Sequence, residues 1–103
     1  MNIDPESSMR VALAKLELFF HYAHSLKEKR HALHKIKDRI FAEFKVPVHE
    51  VSHQDKWQRA QLGFAIVGND AVKLAALADR IVERIDEYGL GEIVDSVVEV
   101  INF

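Results

Sequence analysis

The chain has no cysteine, one tryptophan, two prolines and four glycines among its 103 residues. Without cysteine there is no disulfide framework, no thiolate zinc site and no cysteine nucleophile, which fits a reducing compartment. Sparse glycine and proline exclude collagen-like repeats and low-complexity linkers. No apolar run approaches the ~20 residues of a membrane-spanning helix, and no signal-peptide pattern is present. A cytoplasmic protein without a membrane partner is therefore expected. The glycine-rich P-loop, the Gly-x-Gly-x-x-Gly fingerprint and the Gly-x-Ser-x-Gly elbow are all missing, so nothing points to the nucleotide or hydrolase chemistry they carry. No catalytic residue and no cofactor is implied.

Strong charge of one sign is lacking too. Lys and Arg number 14 against 16 Asp and Glu, net −2, which argues against a strongly basic nucleic-acid binder. The near balance hides an uneven distribution. Residues 21–45 hold seven basic groups (Lys27, Lys29, Arg30, Lys35, Lys37, Arg39, Lys45) and three acidic ones, net +4, whereas residues 46–103 are net −5. An anionic partner is expected to meet the first of these segments.

Hydrophobic residues make up 49% and charged residues 29%, ordinary values for one globular domain. Residues 1–8 have no periodicity and precede a second methionine, Met9. They read as an added leader or a disordered terminus, leaving a single domain over 9–103. From Val11 the pattern alternates, with Ala12, Ala14, Leu16, Leu18 and Phe20 on one face of a strand. Ser25 followed by Glu28 is a capping-box signature. Leu26, Leu33, Ile36, Ile40 and Phe44 then recur at helical spacing, which predicts an amphipathic helix over 25–44. A second strand starts around Val46–Val51, a polar turn spans His53–Lys56, and a third strand runs from Arg59 to Val67. Asn69 and Asp70 open a second helix with Leu74, Leu77, Ala78, Ile81, Ile85 and Tyr88 on its apolar stripe. Gly89 and Gly91 end it. The last strand, Glu92 to Ile101, has Val94, Ser96, Val98 and Val100 on one face and Ile93, Val97 and Ile101 on the other.

The order β-α-β-β-α-β predicts an α+β, ferredoxin-like domain with a four-stranded antiparallel sheet and two helices on one face. The outer sheet face is then partly apolar, with Leu13, Phe19, Ala65, Val67, Ile93, Val97 and Ile101 available. A patch of this kind on a small protein marks an interface, here for a homo-oligomer, with a dimer favoured, through this face or through an edge strand.

The six histidines form three pairs: His21 and His24, His31 and His34, His49 and His53. His31 and His34 share a helical face, yet nothing completes a metal site, and none is predicted. His24, Ser25 and Asp55 contain the atoms of a hydrolytic triad, but a capping role occupies the Ser25 hydroxyl. RNA-recognition modules share this element order and stack bases on central-strand aromatics. Here the third strand offers Gln61, Gly63, Ala65 and Val67 outward, which is no stacking platform. The remaining candidates for anion or RNA binding are Lys27, Lys29 and Arg30 at the start of the first helix, with Trp57 and Arg59 from the hairpin beside them. Against this stands a plain alternative, in which the lysines are solvated, Arg30 pairs with a carboxylate such as Asp55, and Trp57 packs on the sheet edge.

Three blocks carry a family resemblance: Ala23-His24-Ser25-Leu26-Lys27-Glu28-Lys29-Arg30, then Gln54-Asp55-Lys56-Trp57-Gln58-Arg59-Ala60-Gln61-Leu62-Gly63, then Val67-Gly68-Asn69-Asp70. Together they resemble the YlxP-like family of small bacterial proteins of unknown function. The resemblance implies a ferredoxin-like fold, a bacterial cytoplasmic protein, and genes that neighbour those of translation initiation and ribosome maturation. The chain departs from the family at His21-Tyr22, where relatives commonly carry a Pro-Gly turn. Two main readings result, beside an enzymatic one kept only as a phosphate-ester or nucleotide site at Arg30, Trp57 and Arg59. The first is a non-catalytic binding module in bacterial translation or ribosome and RNA metabolism, using the basic helix N-terminus for phosphate contacts. The alternative is a homo-oligomeric interaction module that uses the outer sheet face and has no nucleic-acid role.

Overall fold

The computed structural model describes residues 8–103, so the leader expected over 1–8 lies, apart from Ser8, outside the described residues. The element order is β1 (Arg10–Phe19), α1 (Leu26–Phe44), β2 (His49–Ser52), β3 (Arg59–Gly68), α2 (Ala71–Glu87) and β4 (Glu92–Asn102). The strands form one antiparallel sheet in the order β2-β3-β1-β4, a ferredoxin-like α+β arrangement. Neither helix is long and apolar enough to cross a membrane.

Period-two patterning decides which face is covered. Ala12, Ala14, Leu16 and Leu18 of β1 and Ala60, Leu62 and Phe64 of β3 are buried on the inner face. The helices supply Ala32, Leu33, Ile36 and Ile40 from α1 and Leu74, Ala78, Ile81 and Ile85 from α2 to the same core. Each large aliphatic side chain so buried contributes roughly 1.5–3 kcal/mol. Arg84 joins the helices at their edge, donating to Glu43 of α1 at 2.7 Å and to Glu87 at 2.8 Å.

The helix ends follow from their capping residues. Ser25 is extended, and its Oγ accepts the Glu28 N–H at 3.1 Å. The Glu28 carboxylate reaches back one residue beyond the cap and accepts the His24 N–H at 2.9 Å. Asp70 caps α2 by accepting from Val72 and Lys73. Gly89 takes φ +66° just past α2, the left-handed position where glycine carries no Cβ penalty. Gly91 is required for another reason: a Cβ there would lie 2.8 Å from the Phe20 ring.

Two register shifts alter what alternation alone predicts. In β4, Asp95 pairs with Glu17 but Ile93 pairs with Leu18, so Val94 is the extra residue of a bulge. The shift turns Ile93 inward against the core and leaves Val94 exposed. Ile93, expected on the outer interface, is thus a core-packing residue, because one inserted residue inverts the facing of everything beyond it. In β2, Glu50 pairs with Leu62 and Ser52 with Gln61, which leaves Val51 as the extra residue. Glu50 therefore lies on the helix side of the sheet.

Candidate functional site

The basic run at the start of α1 divides between two faces. Lys29 is 0% exposed. It lies four residues before Leu33 and seven before Ile36, on the buried stripe of the helix. Its Nζ donates to Glu50 Oε2 at 2.9 Å, to the His53 carbonyl at 2.8 Å and to the Arg59 carbonyl at 3.1 Å. An ammonium has three donors, and all are taken. Lys29, predicted as an anion contact, is instead an internal pin that ties α1 to β2, to the turn after it and to the start of β3.

Lys27 and Arg30 lie on the opposite, exposed face. With His31, His34 and Lys35 they follow a three-and-four spacing that gathers them along one side of the helix. These five side chains, with Glu28, Ala32, Tyr22 and Leu90, line a groove of about 850 Å³. Tyr22 comes from the loop between β1 and α1 and Leu90 from the loop before β4. The Tyr22 hydroxyl donates to the Leu90 carbonyl at 2.7 Å, so the two loops are held together as an apolar wall. Partial burial, and then the Glu28 charge, raise the Tyr22 phenol above its ordinary value. The helix N-terminus is not an open anion cradle, since Ser25 and Glu28 occupy its neighbourhood with acceptors. The basic surface is a helix face. His31 and His34, which complete no metal site, and Lys35, one basic residue of a longer run, are united with Lys27 and Arg30 by the three-and-four spacing that the sequence itself carries.

Trp57 and Arg59 lie elsewhere. They line a separate hollow of about 410 Å³ with Phe19, Asp55, Lys56 and Gln58. Trp57 is half exposed. The Arg59 guanidinium sits 5.8 Å over the Phe19 ring, and Phe19 is tilted against His21 with ring centres 4.5 Å apart. His21 in turn pairs with Glu92. The hairpin tip is fixed to the β1–α1 loop, because Phe20 N–H donates to the Gln58 carbonyl at 2.7 Å and Gln58 Nε2 to the His21 carbonyl at 3.2 Å. Among the described residues neither Arg30 nor Asp55 forms an ion pair, so the Arg30–Asp55 pairing considered above does not form. The five predicted anion contacts thus separate into a helix-face pair, an internal pin and a hairpin pair.

The outer sheet face is itself divided. Val11 pairs with Val67 and Ile101, and Leu13 with Ala65 and Glu99, so the end near the start of β1 is apolar around one exposed carboxylate. Leu13, Val67, Val97 and Ile101 are 42–61% exposed. Towards the other end Glu17 pairs with Gln61 and Asp95, and His53 Nε2 lies 2.8 Å from Glu17. Phe19, placed among the apolar interface candidates, sits at this polar end beneath Arg59. Ser25 serves the helix cap, and its hydrogen bonds include neither His24 nor Asp55 side chains among the described residues.

The model of a family described as "Protein of unknown function (DUF503)" matches residues 11–98. A protein of Bacillus subtilis (strain 168), "Uncharacterized protein YlxP", is 35% identical over 78 residues, spanning 76% of this chain and 85% of its own. Two solved structures are similar in outline at 17% identity. One is the de novo designed protein Foldit4, with TM-score 0.48, covering 92% of this chain and 96% of that one. The other is a C-terminal segment of the alpha subunit of aIF2 from Pyrococcus abyssi, with TM-score 0.47, covering 96% of this chain and 53% of that one. Neither likeness bears on function.

Proposed function

The chain belongs to the DUF503 family of proteins of unknown function, and for this member we propose a non-catalytic role in which the exposed face of α1 binds the phosphate backbone of RNA. One observation carries the reading: Lys27, Arg30, His31, His34 and Lys35 line a single groove in which Glu28 is the acidic residue. Elongated polyanions suit a row of cations along a helix, whereas a compact anion would need them convergent. Lys27, Arg30 and Lys35 are the three Lys and Arg side chains of the row, enough for about three phosphate contacts. Binding should be weak, saturable and salt-sensitive, since the net charge of −2 supplies no general attraction. A role beside bacterial translation draws its support from the gene neighbourhood that the resemblance implies. The test is binding of purified protein to structured RNA and ribosomal subunits, with Lys27→Glu/Arg30→Glu/Lys35→Glu alongside. Loss of binding in that variant supports the reading, and equal binding by both proteins removes it.

A second reading draws on the apolar end of the outer sheet face, where Leu13, Val67, Val97 and Ile101 remain exposed. Association of two copies through this end would cover them and leave the α1 groove open. Leu13→Glu/Val97→Glu should then yield a monomer where the unaltered chain is a dimer, read by light scattering. An unchanged mass eliminates the second reading.

A further inference from the structure

We propose that the hollow at the β2–β3 hairpin tip is a binding site for a guanine base carrying a phosphate. It uses different residues from the α1 groove, and only its polynucleotide arm rests on the RNA reading above. The hollow, about 410 Å³, is open to solvent and has room for one base laid against its wall.

Four side chains supply the chemistry. Trp57 presents a half-exposed indole, the widest stacking surface among protein side chains. Asp55 lines the same hollow and has no ion-pair partner among the described residues. A carboxylate only accepts hydrogen bonds, so it selects an edge that only donates. The ring N–H and adjacent exocyclic amine of guanine form such an edge. Adenine and cytosine place an acceptor nitrogen beside their amine, and uracil flanks its one N–H with two carbonyls, so each sets an acceptor against the carboxylate. Lys56 and Arg59 complete the lining and supply positive charge for the phosphate.

The hollow is also preorganised. Arg59 is held over the Phe19 ring, and Gln58 is fastened to the β1–α1 loop through both its carbonyl and its side-chain amide. The Lys29 ammonium grips the carbonyls of His53 and Arg59, at either end of the turn that carries Asp55 and Trp57. A base that enters therefore meets fixed backbone, which lowers the ordering cost of binding.

Trp57 is the only tryptophan, so its fluorescence reads this hollow directly. GMP should quench it saturably, with AMP, CMP and UMP at least about tenfold weaker, the scale set by pairing or opposing two hydrogen bonds. Free tryptophan amide titrated in parallel corrects for absorbance by the nucleotides. Asp55→Asn should abolish the preference for guanine while leaving residual stacking. An oligonucleotide with one guanine, compared with the same strand lacking it, separates a strand ligand from a free nucleotide. Lys27→Glu/Arg30→Glu/Lys35→Glu should keep the GMP response, so failure of the α1 reading is seen separately. Equal quenching by all four nucleotides overturns the proposal. So does saturable quenching by neither GMP nor the guanine-containing strand.

Discussion

The two sides of α1 carry similar residues to opposite ends. On the inner side one lysine, Lys29, is sealed from water by three acceptors drawn from three segments. On the outer side Lys27, Arg30 and Lys35 remain exposed along a groove. Two residues of chain separate Lys27 from Lys29, a rotation of about 200° around the helix. A basic run is thus not one functional object; helical phase assigns its members to architecture or to solvent.

The sharpest way to break this comparison is to remove the inner lysine. Lys29→Met should destabilise the fold by about 3–5 kcal/mol, because Glu50 and two carbonyls lose a charged partner in a buried setting. Urea unfolding would read this, and a loss below about 1 kcal/mol would contradict the pin. Adding Glu50→Leu to Lys29→Met should recover part of the loss, since a buried charge pair exchanged for apolar groups is often tolerated. Next in size is Gly91→Ala, whose new Cβ meets the Phe20 ring; overpacking of this kind costs about 1–3 kcal/mol, measured as a lower unfolding midpoint. Ser25→Ala should cost about 1 kcal/mol by freeing the Glu28 N–H. Alanine at Lys27, Arg30 or Lys35 should change stability by no more than about 0.5 kcal/mol each. The smallest effect concerns Tyr22. Its folded phenol titrates above the unfolded value near 10, so the folded chain holds that proton longer. Stability is flat below the unfolded value and declines as pH rises through it towards the folded one. An ultraviolet phenolate titration with Tyr22→Phe as the reference should show one late-titrating group fewer.

Much of this was legible in the sequence, and the losses have identifiable causes. The Ser25–Glu28 pair marks the start of α1 at Leu26, and alternation in β1 and β3 assigns their buried faces correctly. Ile93 was misassigned because a bulge is a two-strand property: nothing within β4 announces that Val94 has no partner on β1. Lys29 is a different failure. Its phase with Leu33, Ile36 and Ile40 was readable, but a lysine on an apolar stripe looks like a snorkelling side chain until Glu50 and the hairpin carbonyls come into reach. Glu50 itself faces the helix, where the valines around it suggested nothing polar. The candidate site suffered most. Proximity in sequence grouped Lys27, Lys29 and Arg30, whereas the fold groups Lys27 and Arg30 with His31, His34 and Lys35 and sends Trp57 and Arg59 to a second concavity.

The most direct test of the division of labour on α1 is the salt dependence of binding to a single-stranded RNA without guanine, for the unaltered chain and for Lys27→Ala/Arg30→Ala/Lys35→Ala. Three phosphate contacts correspond to a slope of about −2 in log K against log salt. The account predicts that slope for the unaltered chain and a value near zero for the variant, with matching unfolding curves for both. Absence of RNA binding by the unaltered chain, or an undiminished slope in a folded variant, would contradict it.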